Sequence, residues 1–139
     1  MIELSDKALR RRAKELHGAA GGVEEEASRA LLLFYAAECG LKAIYMQKFM
    51  LKTTSSSNAA AKSPASFKHN IDDLIKALKL PPVTLAHSPG KLTLRPPVIG
   101  DVHVGDLNQV WRYGATLATP NSAVQWLETV VAYALKELR

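Results

Sequence analysis

At 139 residues the chain is one domain by length, 1-139, large enough to bury a core without disulfides or metals. A formal net charge of +5 and a pI near 9.4 suit a polyanionic partner such as RNA, while the single cysteine, Cys39, excludes an intrachain disulfide and a cysteine-based zinc site. Glu38 interrupts the apolar residues between Leu31 and Met46, leaving runs too short to span a bilayer, and M-I-E-L-S-D-K lacks the plan of a secretory signal; the expected location is cytoplasmic, with no membrane partner.

In chain order, Ser5 or Asp6 can cap a first helix with Leu9, Ala13 and Leu16 on one side and Gly18 as a stop. Its other faces carry Lys7, Arg10, Arg11, Arg12 and Lys14. Gly21-Gly22 breaks the chain, and Glu24, Glu25 and Glu26 then suit the first turn of a long helix, where the helix dipole favours negative charge. From Ala30 to Leu51 this helix is apolar nearly all round, so it should run through the centre of a bundle. It should end near Lys52, because T-T-S-S-S-N-A-A-A-K-S-P is polar, aperiodic and expected to be flexible. Asn70 can cap a third helix, with Asp73 at N3 and Ile71, Leu74, Ile75 and Leu78 at helical spacing, closed by Pro81-Pro82. Between Pro81 and Asp101, Val83 to Leu85 and Lys91 to Leu94 allow at most a small hairpin. Asp106 can cap a short fourth helix with Leu107, Val110, Trp111 and Tyr113. Pro120, Asn121 and Ser122 set up a last helix striped by Val124, Leu127, Val131, Ala134, Leu135 and Leu138, with Trp126 and Val130 beside the stripe. The expected class is all-α, an up-and-down bundle of four to five helices with an irregular Pro/Gly-rich loop.

Glu38 and Lys42 share one side of the long helix at a spacing, and in an order, that favour an ion pair. They are either a structural or dimer-face pair or a polar pocket in which Glu38 orients Arg112 or a histidine; stranding either charge in the core would be costly. Arg10, Arg11, Arg12 and Lys14 form a basic surface that can contact phosphates or simply be solvated. Trp111, Arg112 and Tyr113 concentrate aromatic and basic character: Trp111 can pack in the core while Arg112 pairs with an acid, or Tyr113 and Arg112 can engage a base and a phosphate of single-stranded RNA. His69 is placed to pack or cap at the third helix. His87 and His103 have no partner at metal-ligand spacing, and no metal or other cofactor is expected. Cys39 reads as a small core residue.

The order L-L-L-F-Y-A-A-E-C-G-L-K-A-I, then F-K-H-N-I-D-D-L-I-K-A-L, then V-W-R-Y-G-A resembles HEPN domains, a helical nucleotide-binding family of higher eukaryotes and prokaryotes. Glu38 to Ala43 is similar to the family's Glu-x-x-x-Lys helix, and His69 to Leu74 to its His-Asp-Leu helix start; the likeness covers most of residues 23 to 138. The resemblance implies a homodimer, through the long or the last helix, in a bacterial stress, defence or toxin–antitoxin setting. RNA, a nucleotidyltransferase or a larger effector are the implied partners. Some family members are metal-independent ribonucleases whose late helix carries Arg, four to six residues, then His. Here Arg112 stands at the matching place, but Leu117, Ala118 and Thr119 occupy the histidine positions. An RNA-associated or partner-binding module without the standard catalysis is therefore expected. Arg12-x-x-x-x-His17 satisfies the spacing on the first helix instead. For a ribonuclease, the alternative reading, Arg112 would hold the phosphate, Glu38 and Lys42 would organise the pocket, and His17 or His69 would move the proton. A pure protein-interaction subunit is the other alternative.

Overall fold

The computed structural model describes residues 2–80, 91–96 and 100–138. The chain is mostly helical there: α1 (Asp6–Gly21), α2 (Glu26–Phe49), α3 (Ile71–Leu78), α4 (Leu107–Arg112) and α5 (Pro120–Glu137), with strands β1 (Lys91–Thr93) and β2 (Asp101–His103). Among the described residues no helix is long and apolar enough to cross a membrane.

Ser5 caps α1, its hydroxyl accepting from the Ala8 N–H at 3.1 Å. The helix does not stop at Gly18. It runs through to Gly21, because Ala19 and Ala20 favour helix and Ala20 is buried, which offsets the roughly 1 kcal/mol cost of an internal glycine. Glu25 caps α2 by accepting the Ser28 N–H at 2.9 Å, leaving Glu26 in the first turn. That helix ends at Phe49 rather than near Lys52, because Met50 turns left-handed at φ 57 and returns its N–H to the Met46 carbonyl.

α2 is the axis of the fold and packs against each of the other helices. Leu33, Phe34, Ala37, Leu41, Tyr45 and Met46 are buried along it, as the apolar sequence implies. α1 returns antiparallel beside it, Gln47 Nε2 donating to Asp6 Oδ2 at 3.1 Å. Gly40 lies where α1, α2 and α5 meet. A Cβ there would stand 2.7 Å from the Ala134 Cβ and 3.9 Å from the Ala13 Cβ, so a glycine between two alanines sets the helix spacing.

The segment after α2 is better anchored than its composition implies. Thr54 is buried; its hydroxyl accepts from Leu4 N–H at 3.2 Å and its N–H donates to the Leu4 carbonyl at 3.0 Å. Asn58 Nδ2 reaches the Phe49 carbonyl at 2.9 Å, and Tyr45 Oη donates to the Lys62 carbonyl at 2.8 Å. Side-chain bonds replace periodicity here, which is why a search for apolar spacing misses the order.

Asn70 caps α3 reciprocally, accepting from Asp73 N–H at 3.1 Å and donating to Asp73 Oδ2 at 2.9 Å. α3 closes on left-handed Lys79, φ 52, while Lys48 Nζ donates to the Leu78 carbonyl at 2.6 Å. Pro81, Pro82 and Val83 to Leu85 lie outside the described residues. β1 pairs antiparallel with β2, Leu92 opposite Val102, so Lys91 to Leu94 forms half of a hairpin whose second strand, at Asp101 to His103, the sequence pattern does not mark. Asp106 precedes α4 without capping it; a short 3-10 turn over Val104–Asp106 leads in, and His103 Nδ1 accepts the Gly105 N–H at 3.1 Å. On α5 the buried face is Ala123, Trp126, Leu127, Val130, Val131 and Ala134, rotated so that Trp126 and Val130 are core and Val124 and Leu135 are only half-buried.

Candidate functional site

The two charges inside the apolar helix meet a histidine. Glu38 uses both oxygens: Oε2 accepts from Lys42 Nζ at 3.2 Å, and Oε1 lies 2.6 Å from His69 Nδ1. The side chains of Glu38 and Lys42 are only 13% and 11% exposed, against 50% for His69. Lys42 gains a further acceptor in the Lys68 carbonyl at 2.7 Å. Lys68 adopts φ 53 and ψ −118, a sparsely populated backbone region for a side-chain-bearing residue, and its carbonyl is part of what satisfies the buried ammonium.

In a neutral ring, a carboxylate on Nδ1 favours the Nδ1–H tautomer and leaves Nε2 as the acceptor. His69 Nε2 makes no hydrogen bond among the described residues, and the ring, edge-on to Tyr35 at 5.9 Å, lines a cleft of about 330 Å³. Lys62, Lys68, Asn70, Asn108 and Gln109 also line it. Its far wall is held close: a Cβ on Gly105 would stand 2.6 Å from Asn70 Oδ1, so only glycine lets the turn before α4 approach the cap of α3.

The other residues singled out by sequence lie apart from this trio. Arg112 ends α4 exposed, its guanidinium 5.6 Å from the ring centre of Tyr113, which is 74% exposed. Neither Arg112 nor Tyr113 lines the cleft, and among the described residues Arg112 has no acidic partner. Thus the group that Glu38 engages is a histidine, not Arg112. Trp111 packs in the core. His17 Nε2 lies 3.3 Å from Glu128 Oε2 on α5, a contact between helices rather than a place beside Glu38. Arg12 pairs with Glu15 at 3.4 Å. Lys7, Arg11 and Lys14 instead form one exposed stripe of α1, opposite buried Leu9, Ala13 and Leu16, with Arg10 half-buried between the two and its Nε covered.

Burial, with the Glu38 charge adding to it, pushes the Cys39 thiol up to about 11, against the pull of Lys42 and Arg12. It stays protonated at neutral pH, half-buried against the core rather than fully within it. Among the described residues no cluster of His, Cys, Asp or Glu is placed to hold a metal, and His87 lies outside them.

Sequence reading does not reach Asn108 and Gln109. The available signal is spacing: Asn108 shares the buried arc of α4 with Leu107 and Trp111, a polar residue where an apolar one is the rule. Lys62 and Lys68 sit in stretches with no periodic pattern to place them.

No family model, curated protein or solved structure matches this chain.

Proposed function

We propose that this chain is an RNA-associated module of the HEPN kind, working as a homodimer in a bacterial stress or defence system, without the standard arginine–histidine catalysis. The observation that carries the RNA reading is the outer face of α1. Lys7, Arg11 and Lys14 are exposed on one side of that helix, with Arg10 half-buried at its edge and Glu15 the acid among them. Such a row can track a phosphate backbone through counterion release. The exposed Arg112–Tyr113 pair adds a second cationic and aromatic group suited to unstacked bases. The family assignment, the dimer and the bacterial setting rest on the resemblance of Glu38 to Ala43 and His69 to Leu74.

Fluorescence anisotropy with a labelled single-stranded RNA tests this. Binding should weaken linearly in log salt, and Arg10→Gln, Arg11→Gln and Lys14→Gln combined should lower the slope by about two, at roughly 0.7 per phosphate neutralised. Absence of binding at low salt removes the RNA reading and leaves the protein-interaction subunit.

One contact favours a ribonuclease as the second reading. His69 is held by a carboxylate at Nδ1 and open at Nε2, an arrangement able to accept a proton from a ribose 2′-hydroxyl. RNA cleavage in the presence of chelator, lost in His69→Asn, would establish it; intact RNA leaves the binding module.

A further inference from the structure

The described histidines are engaged at different ring nitrogens. His103 uses both, Nδ1 accepting the Gly105 N–H at 3.1 Å and Nε2 standing 3.5 Å from Asp72 Oδ2. His17 turns Nε2 to Glu128 at 3.3 Å, and that acid is half-exposed where Glu38 is nearly covered. Among the described residues, His69 alone combines a carboxylate on Nδ1, Glu38 Oε1 at 2.6 Å, with an Nε2 that has no partner. Its side chain is half-exposed, so that nitrogen is open to a small molecule.

This arrangement makes an imidazole nitrogen a nucleophile. A carboxylate behind the ring holds the tautomer, raises the basicity of the far nitrogen and offsets the positive charge that develops as it attacks. Lys42 on Glu38 Oε2 orients the acid, and the edge-on contact with Tyr35 at 5.9 Å orients the ring. The cleft in front of it, about 330 Å³, is lined by donors suited to a tetrahedral oxyanion: Lys62, Lys68, Ser66, Asn108 and Gln109. Asp73 and Asp106 line it too, the first held by the Asn70 carboxamide at 2.9 Å, the second exposed. Two lysines set against two acids leave no net field for a polyphosphate, which selects a small donor over a nucleoside triphosphate.

We infer that His69 Nε2 is a phosphoryl acceptor, taking the group from a small activated phosphodonor. The Nε2 lone pair attacks phosphorus and forms a P–N bond. The bond from phosphorus to the leaving group breaks, its electron pair departing with that group, and Glu38 Oε1 takes the Nδ1 proton. Nothing is oxidised or reduced. The step needs no RNA, so its failure leaves the RNA reading untouched.

Potassium phosphoramidate, whose leaving group is ammonia, tests this on the intact wild type. Tandem mass spectrometry in alkali should find His69 phosphorylated ahead of every other histidine. Phosphorus NMR should identify the Nε2 isomer there, acid-labile and stable to hydroxylamine, and His69→Asn should remove it. Glu38→Gln should slow the labelling by roughly a hundredfold, the low end of what a positioned proton acceptor supplies. Labelling of another histidine as fast as His69, the Nδ1 isomer at His69, or an unchanged rate in folded Glu38→Gln overturns the proposal. Site and isomer are read on the wild type, so they decide it even where Glu38→Gln fails to fold.

Discussion

Two clusters in this molecule each join an acid, a lysine and a histidine and differ in how far the lysine is buried. Glu38, Lys42 and His69 form one; Asp72, Lys76 and His103 form the other, with Lys76 Nζ at 3.1 Å and His103 Nε2 at 3.5 Å from Asp72 Oδ2. In both, the acid and lysine are one helical turn apart and the histidine comes from another segment. In the first, Lys42 is nearly covered and needs Lys68 to satisfy it; in the second, Lys76 is 69% exposed and water serves. Sequence spacing alone makes the two pairs look equivalent. The two acids are about equally covered, 13% and 14% exposed, so the burial of the lysine is what separates the clusters.

The comparison can be broken by removing one lysine at a time. Lys42→Ala leaves the nearly covered Glu38 with His69 as its one partner and the Lys68 carbonyl without its donor, and should destabilise the fold by about 3 kcal/mol in denaturant titration, more than a hundredfold in the folding equilibrium. A loss below about 1 kcal/mol would mean that water reaches Glu38 and that the clusters are alike. Cys39, beside Glu38, sharpens the same point without mutation. With its pKa at about 11 against an ordinary 9.0, the folded thiol should alkylate at pH 8 roughly a hundredfold more slowly than the urea-unfolded chain. The sign follows from the raised value: this group's contribution to stability is full below pH 9 and is lost as pH rises from 9 through 11, where the unfolded thiol ionises first. Alkylation at equal rates would place Cys39 in water. The smallest effect belongs to the open cluster, where Lys76→Ala should cost only about 0.3 kcal/mol and less at high salt.

Much of the helical plan is legible in the sequence because it rests on local chemistry. Ser5, Asn70 and Pro120 mark helix starts through groups that act within one turn, and the apolar run of α2 implies a central position. The features that sequence misplaces depend on partners distant along the chain. The extra turn of α1 past Gly18 and the rotation of α5 follow from packing, and the anchoring of Thr54 from a segment fifty residues away. The candidate site divides the same way. An i,i+4 pair announces Glu38 and Lys42, whereas their choice of His69 over Arg112, and the arrival of Asn108 in the same cleft, are made by tertiary folding.

Thr54 makes the opening residues of the chain part of the cleft's support. Besides its two bonds to Leu4, its carbonyl accepts the Ala65 N–H at 2.8 Å, at the start of the turn that carries Phe67, Lys68 and His69. One threonine thus works as a clip between the beginning of α1 and the backbone that presents His69 to Glu38. Two stretches of backbone some sixty residues apart meet on one residue, and residues that never enter the cleft share in its support.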